Sequence, residues 1–106
     1  VLVRPEPAPI PLAQLFTAVV QVRDARTGAL VEVAKVKVDA TMPHHGHGMT
    51  TKPVPDEGVC ADGVCRHADG LYRTEGMKFH MPGEWTVHVE VDGPAGPDRV
   101  DLVWAL

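Results

Sequence analysis

Two stretches of strict apolar/polar alternation constrain this chain more than anything else in it. In Lys35–Met42, Val36, Val38, Ala40 and Met42 share one parity, and Lys35, Lys37, Asp39 and Thr41 the other. In Trp85–Val91, Trp85, Val87, Val89 and Val91 alternate with Thr86, His88 and Glu90. A period of two places one set of side chains on one face of a strand. Ten prolines and ten glycines among 106 residues break up the rest. No remaining segment has room for a capped helix of helical period.

The other β-rich runs are Leu12–Val22, Ala29–Ala34, Leu71–Thr74, Met77–Met81 and Val100–Leu106. Met77, Phe79 and Met81 share a face, as do Val100, Leu102, Trp104 and Leu106. Short strands of this number, about seven, with turns every 8–12 residues or so, predict an all-β fold. The expected architecture is an immunoglobulin-like antiparallel β-sandwich. Trp85, Val87, Val89, Leu102, Trp104, Val36 and Val38 are its expected core.

The length suits one domain. Residues 12–106 are assigned to that domain. Residues 1–11, with Pro5, Pro7, Pro9 and Pro11 alternating with other residues, read as an extended, stiff linker. Such a linker leads from an upstream signal or membrane anchor; the alternative is a plain chain end. A hydrophobic fraction of 44% with 23% charged residues is globular. Net charge −4 and five aromatics give no basic footprint for nucleic acid. No apolar run approaches the roughly 18 residues that a spanning helix needs.

Cys60-Ala61-Asp62-Gly63-Val64-Cys65 reads as a hairpin turning at Asp62-Gly63. Ala61 and Val64 close the turn, so Cys60 and Cys65 form the next cross-strand pair. Their Cα atoms should lie about 4.5 Å apart, within disulfide reach. A disulfide implies an oxidising compartment. The competing readings are two thiolate metal ligands or two free thiols.

Met42-Pro43-His44-His45-Gly46-His47-Gly48-Met49 gathers three imidazoles and two thioethers in eight positions. No carboxylate lies between Thr41 and Pro55, which argues against calcium or magnesium. Imidazole suits zinc, copper, iron and nickel, and thioether selects copper(I). In an extended backbone His45 and His47 share a face and His44 points away. Two imidazoles alone make a weak site, so a second segment must contribute. Lys78-Phe79-His80-Met81 is the candidate, with His80 pointing outward if Phe79 packs inward. His67 is a weaker candidate, and His88 reads as a surface histidine between Thr86 and Glu90. The same segments also read as plain structure: a solvated loop, with Met42, Met77 and Met81 in the core. No nucleophile–base pair, phosphate loop or paired carboxylates stand out, so an enzyme is not expected.

Met42-Pro43, Gly46-His47-Gly48-Met49, Gly70-Leu71-Tyr72 and Phe79-His80-Met81-Pro82-Gly83-Glu84-Trp85-Thr86-Val87 together resemble the YtkA-like domain, related in pattern to FixH-like proteins. The resemblance spans about Leu12 to Val103. It implies an immunoglobulin-like sandwich exported from a bacterial cytoplasm, periplasmic or otherwise extracytoplasmic. FixH-like proteins are associated with copper supply to haem–copper oxidases, so copper is the implied metal. Met42, His47, Met49, Met81 and Trp85 match the shared pattern. His44 and His45 fall at variable places, and the cysteine hairpin looks like a local addition.

The expected function is therefore a non-enzymatic domain that holds copper near one end of the sandwich and delivers it to a copper-receiving or membrane protein. The expected ligand set is His47, His45, His44, Met49, His80, Met81 and Met42. The site should be bipartite, with His45, His47 or Met49 on one side and His80 or Met81 on the other. The alternatives are an interaction module whose His/Met motif is a structural turn, and a zinc module using His44, His45, His47 and His80.

Overall fold

The computed structural model describes residues 1–106. Ten strands form: β1 (Leu2–Glu6), β2 (Leu15–Gln21), β3 (Lys35–Met42), β4 (His47–Gly48), β5 (Val54–Pro55), β6 (Val59–Ala61), β7 (Val64–Arg66), β8 (Leu71–Lys78), β9 (Glu84–Gly93) and β10 (Gly96–Ala105). The only helical piece is a 3-10 turn at Pro43–His45. One sheet has the order β1-β2-β8-β5 and the other β10-β9-β3-β4, with all pairs antiparallel. That is the immunoglobulin arrangement, in which four strands face three plus one short extra strand. The hairpin β6–β7 pairs with neither sheet and lies in the connection between β5 and β8.

The core lies between the sheets. Val36, Val38, Ala40 and Met42 from β3 meet Trp85, Val87, Val89 and Val91 from β9 and Phe16, Ala18, Val20, Tyr72, Met77 and Phe79 from the opposite layer. Phe79 stacks on Trp85 with ring centroids 4.6 Å apart, and Phe16 meets Phe79 edge-on at 5.0 Å. Leu102 and Trp104, expected deep in the core, are only half-buried. β10 is an edge strand, so its inward side chains lack cover on one side.

The count of ten strands corrects the expected seven, and the differences have separate causes. Leu2–Glu6 is not linker but an edge strand, with Leu2 opposite Gln21 and Glu6 opposite Thr17. Its Pro5 is tolerated because an edge strand has one side free of ladder bonds. Ala29–Ala34 is not a strand, apart from a single bridge between Arg23 and Leu30. Its backbone is satisfied piecemeal instead: Val31 N–H donates to Val22 O, Tyr72 Oη donates to Val31 O, and His67 N–H donates to Glu32 O.

Leu71–Thr74 and the start of Met77–Met81 are one strand, β8. Its phase breaks at a bulge, where Phe16 pairs with Met77 but Ala18 pairs with Thr74. Glu75 and Gly76 thus oppose Thr17 alone, and Tyr72 and Thr74 face inward before the bulge as Met77 and Phe79 do after it. Gly76 takes φ +80°, and a Cβ there would sit 2.5 Å from Lys52 O. No other residue fits.

Candidate metal centre

The site is built where β3 and β8 both run out of sheet. Met42 ends β3, the 3-10 turn reverses the chain, and Gly46 at φ 64° closes it by donating its N–H to Met42 O at 3.0 Å. The chain then returns as β4, pairing His47 with Met42 and Gly48 with Thr41. On the other layer, Phe79 is fully buried after β8 and His80 and Met81 lead into the Pro82-Gly83 turn. That turn is clamped to the C-terminus, because Gly83 and Leu106 exchange both backbone hydrogen bonds, at 3.1 and 2.9 Å.

These two returns bring His47 and His80 together, with ring centroids 5.2 Å apart. Trp85 lies beneath both, edge-on, at 6.1 Å from His47 and 5.4 Å from His80. Its indole N–H donates to Met81 O at 3.1 Å, which ties the His80–Met81 backbone to the core. Met49 is half-buried against the core, and its Sδ accepts the Lys78 N–H at 3.5 Å, linking the loop after β4 to β8.

The protonation pattern suits ligation. His47 Nδ1 lies 3.3 Å from His45 O, a carbonyl that can only accept, so Nδ1 carries the proton and Nε2 the lone pair. His47 Nε2 is buried with no partner, and so is His80 Nδ1. Buried polar nitrogens are normally satisfied, so two orphaned ones on neighbouring rings need an explanation. No group of three or more His, Cys, Asp or Glu is placed to hold a metal.

The expected ligands divide as follows. His47 and His80 meet across the layers, and His80 is half-buried next to the inward-facing Phe79. Met49 and Met81 are half-buried and packed on the core. His45 is exposed at the rim, 5.8 Å from His47 ring to ring, and His44 is exposed without joining the cluster. The four-imidazole arrangement of a zinc module is thus not assembled. Met42 is buried under the turn, where a Cβ on Gly83 would approach its Cε to 2.9 Å, so it is a core residue.

Two features escaped the sequence reading. Trp85 is floor to the histidine pair as well as core, a dual position that alternation cannot reveal. His88 is more than a surface histidine. Its Nε2 meets Thr41 Oγ1 at 2.9 Å and its Nδ1 meets Asp101 Oδ1 at 2.8 Å, joining β3, β9 and β10 on the outer face. That bond, with help from Arg99, holds the Asp101 carboxyl below its ordinary value.

Together these features define a small immunoglobulin-like sandwich with a pair of neighbouring histidine rings at one end. The family model described as YtkA-like matches residues 2–90, and the chain belongs to that family. The match takes in β1, which the resemblance read from sequence had left outside, and stops within β9. No curated protein and no solved structure matches the chain.

Proposed function

We propose that this domain is a non-enzymatic, extracytoplasmic copper carrier that takes copper(I) between His47 and His80, with a thioether from Met49 or Met81. One observation carries the reading: His47 Nε2 and His80 Nδ1 are both buried and unpartnered on rings 5.2 Å apart, contributed by opposite layers. Two imidazoles plus a thioether form a soft, low-charge set that suits copper(I) over zinc, calcium or magnesium. The position supports transfer. The site is at one end of the sandwich, and β4, which brings His47, has only two ladder pairs. The recipient is a copper-receiving or membrane protein.

The test is a double-mutant cycle on copper(I) and copper(II) affinity with His47→Ala and His80→Ala. Each single change should remove most of the affinity, and the double change little more. His45→Ala should have a much smaller effect. Losses that simply add would mean that the two rings do not share an ion. The hydrogen bond from His47 to His45 O favours one other reading, a structural turn in an interaction module. That reading requires no copper binding and a lowered unfolding midpoint for His47→Ala.

A further inference from the structure

At the opposite end of β3 and β8 lies a second cluster, independent of the copper pocket. We propose that reduction of the Cys60–Cys65 disulfide opens a site for a soft divalent or monovalent metal ion, formed by the two thiolates and His67 Nδ1 and oriented by Asp56.

The argument starts from the hairpin. Cys60 is opposite Cys65 and Val59 opposite Arg66, with the cysteine Cα atoms 3.9 Å apart. Continuing the register by one pair places Gly58 opposite His67. Cys60 and Cys65 are a cross-strand pair and so share a face of the hairpin, and His67, which follows the last residue of β7, lines the same cavity as Cys65. A Cβ built on Gly58 would point at the ring, 2.9 Å from His67 Cε1 and 3.0 Å from Nδ1. Gly58 thus leaves the space that the imidazole fills, and Tyr72 packs on the ring with centroids 4.0 Å apart.

The imidazole is already set as a ligand. His67 Nε2 lies 3.1 Å from Asp56 Oδ1, so Nε2–H donates to the carboxylate and Nδ1 keeps the lone pair. This is the carboxylate–histidine pairing that fixes the tautomer of metal-bound histidines. The His67 side chain is 7% exposed, and its Nδ1 is buried with no partner. Asp56 is itself held by the Arg73 N–H at 3.1 Å. A cavity of about 470 Å³, with Cys65, His67 and Asp56 in its wall, gives an ion a way in.

With the disulfide closed, no three-donor group exists. A dithiol partner changes that. It transfers two electrons and two protons to the S–S bond, leaving Cys60–SH and Cys65–SH, and becomes a disulfide itself. Metal binding then releases both thiol protons. Both cysteines are exposed and their hairpin belongs to neither sheet, so reduction leaves the sandwich intact.

Cobalt(II) is the probe, because thiolate-to-cobalt charge-transfer absorption reports sulfur ligation and the His47–His80 pocket has no thiolate. Protein reduced with a phosphine and freed of it without oxygen should develop that band to one cobalt per chain. The disulfide form and Cys60→Ser should not. Asp56→Asn and His67→Gln should each weaken cobalt and zinc binding to the reduced protein at least tenfold. Asp56 is partly exposed, so Asp56→Asn carries the test if His67→Gln fails to fold. No band in the reduced protein, or affinities unmoved by the Asp56 change, would overturn the site.

Discussion

Trp85 shows how much one residue carries. It is fully buried, stacked on Phe79, hydrogen-bonded to Met81 O, and it floors the histidine pair. Trp85→Ala should cost about 3–5 kcal/mol, a large part of the stability of a domain this size. Chemical denaturation measures it, and a midpoint near that of the wild type would contradict the placement. Trp85→Phe keeps most of the apolar volume but drops the bond to Met81 O, so it should lower copper affinity more than stability. The histidines make a further expectation. A proton competes with metal for the bare ring nitrogens, whereas a thioether does not titrate. Copper(II) affinity should therefore fall as the solution is acidified. A flat profile would remove His47 and His80 from the ligand set. At this scale the sequence sets out His47, Met49, His80 and Met81 as soft side chains, and the structure brings the rings of His47 and His80 together. The buried Met42 and the exposed His44 look no different there, because burial and exposure are not local properties.

Among the elements, β8 holds the most consequential irregularity. Its bulge converts the inward phase of Tyr72 and Thr74 into that of Met77 and Phe79, and so decides which way His80 leaves the strand. Gly76→Ala would strain a positive φ and push a methyl toward Lys52 O. The loss should exceed the roughly 1 kcal/mol of an ordinary helix or strand Gly effect. It should also disturb the His47–His80 pair, read as lost copper affinity. Preserved stability and affinity would mean that the bulge relaxes harmlessly. From sequence the phase break looks like two strands; a bulge and a chain break leave the same trace in an alternation pattern.

The outer face of β3, β9 and β10 gives a pH expectation. Asp101 has its carboxyl held low mainly by the hydrogen bond to His88, then by Arg99. A group depressed in the folded state contributes stability above its unfolded value, and this is lost as pH falls through the folded one. Unfolding midpoints of the wild type should thus fall more steeply with acid than those of Asp101→Asn, below about pH 4. Parallel curves would show that the bond is not held in solution. Because the carboxyl is solvent-exposed, the difference should be modest.

For the whole molecule, the test of the architecture is what happens without the disulfide. Cys60 and Cys65 close a loop only five positions long in sequence, in a hairpin outside both sheets. The chain-entropy estimate for so small a loop is about 2 kcal/mol at most. Reduced protein should therefore unfold in one cooperative transition, with its midpoint lowered but its β-sheet circular dichroism unchanged. Collapse of the fold on reduction would mean that the hairpin supports the sandwich. No helix is long and apolar enough to cross a membrane. The two ends of the sandwich carry different side chains, the His47–His80 ring pair at one and His67 with Asp56 at the other.

Alternation in Lys35–Met42 and Trp85–Val91, with the shorter β-rich runs between breakers, determined an all-β sandwich and two of its central strands, and Asp-Gly between two cysteines set Cys60 opposite Cys65. Those are local facts: a period of two and a two-residue turn act within a few residues of chain. Tertiary structure alone decided that Leu2–Glu6 is an edge strand, that Ala29–Ala34 is not a strand, and that β8 is continuous through a bulge. In each case the outcome depends on which backbone groups lie opposite, and those partners are up to tens of residues away. It also decided that His47 meets His80 while His44 does not, and that His67 finds Asp56. A ligand pair is a distance between two chain returns, and no spacing along the sequence encodes that distance.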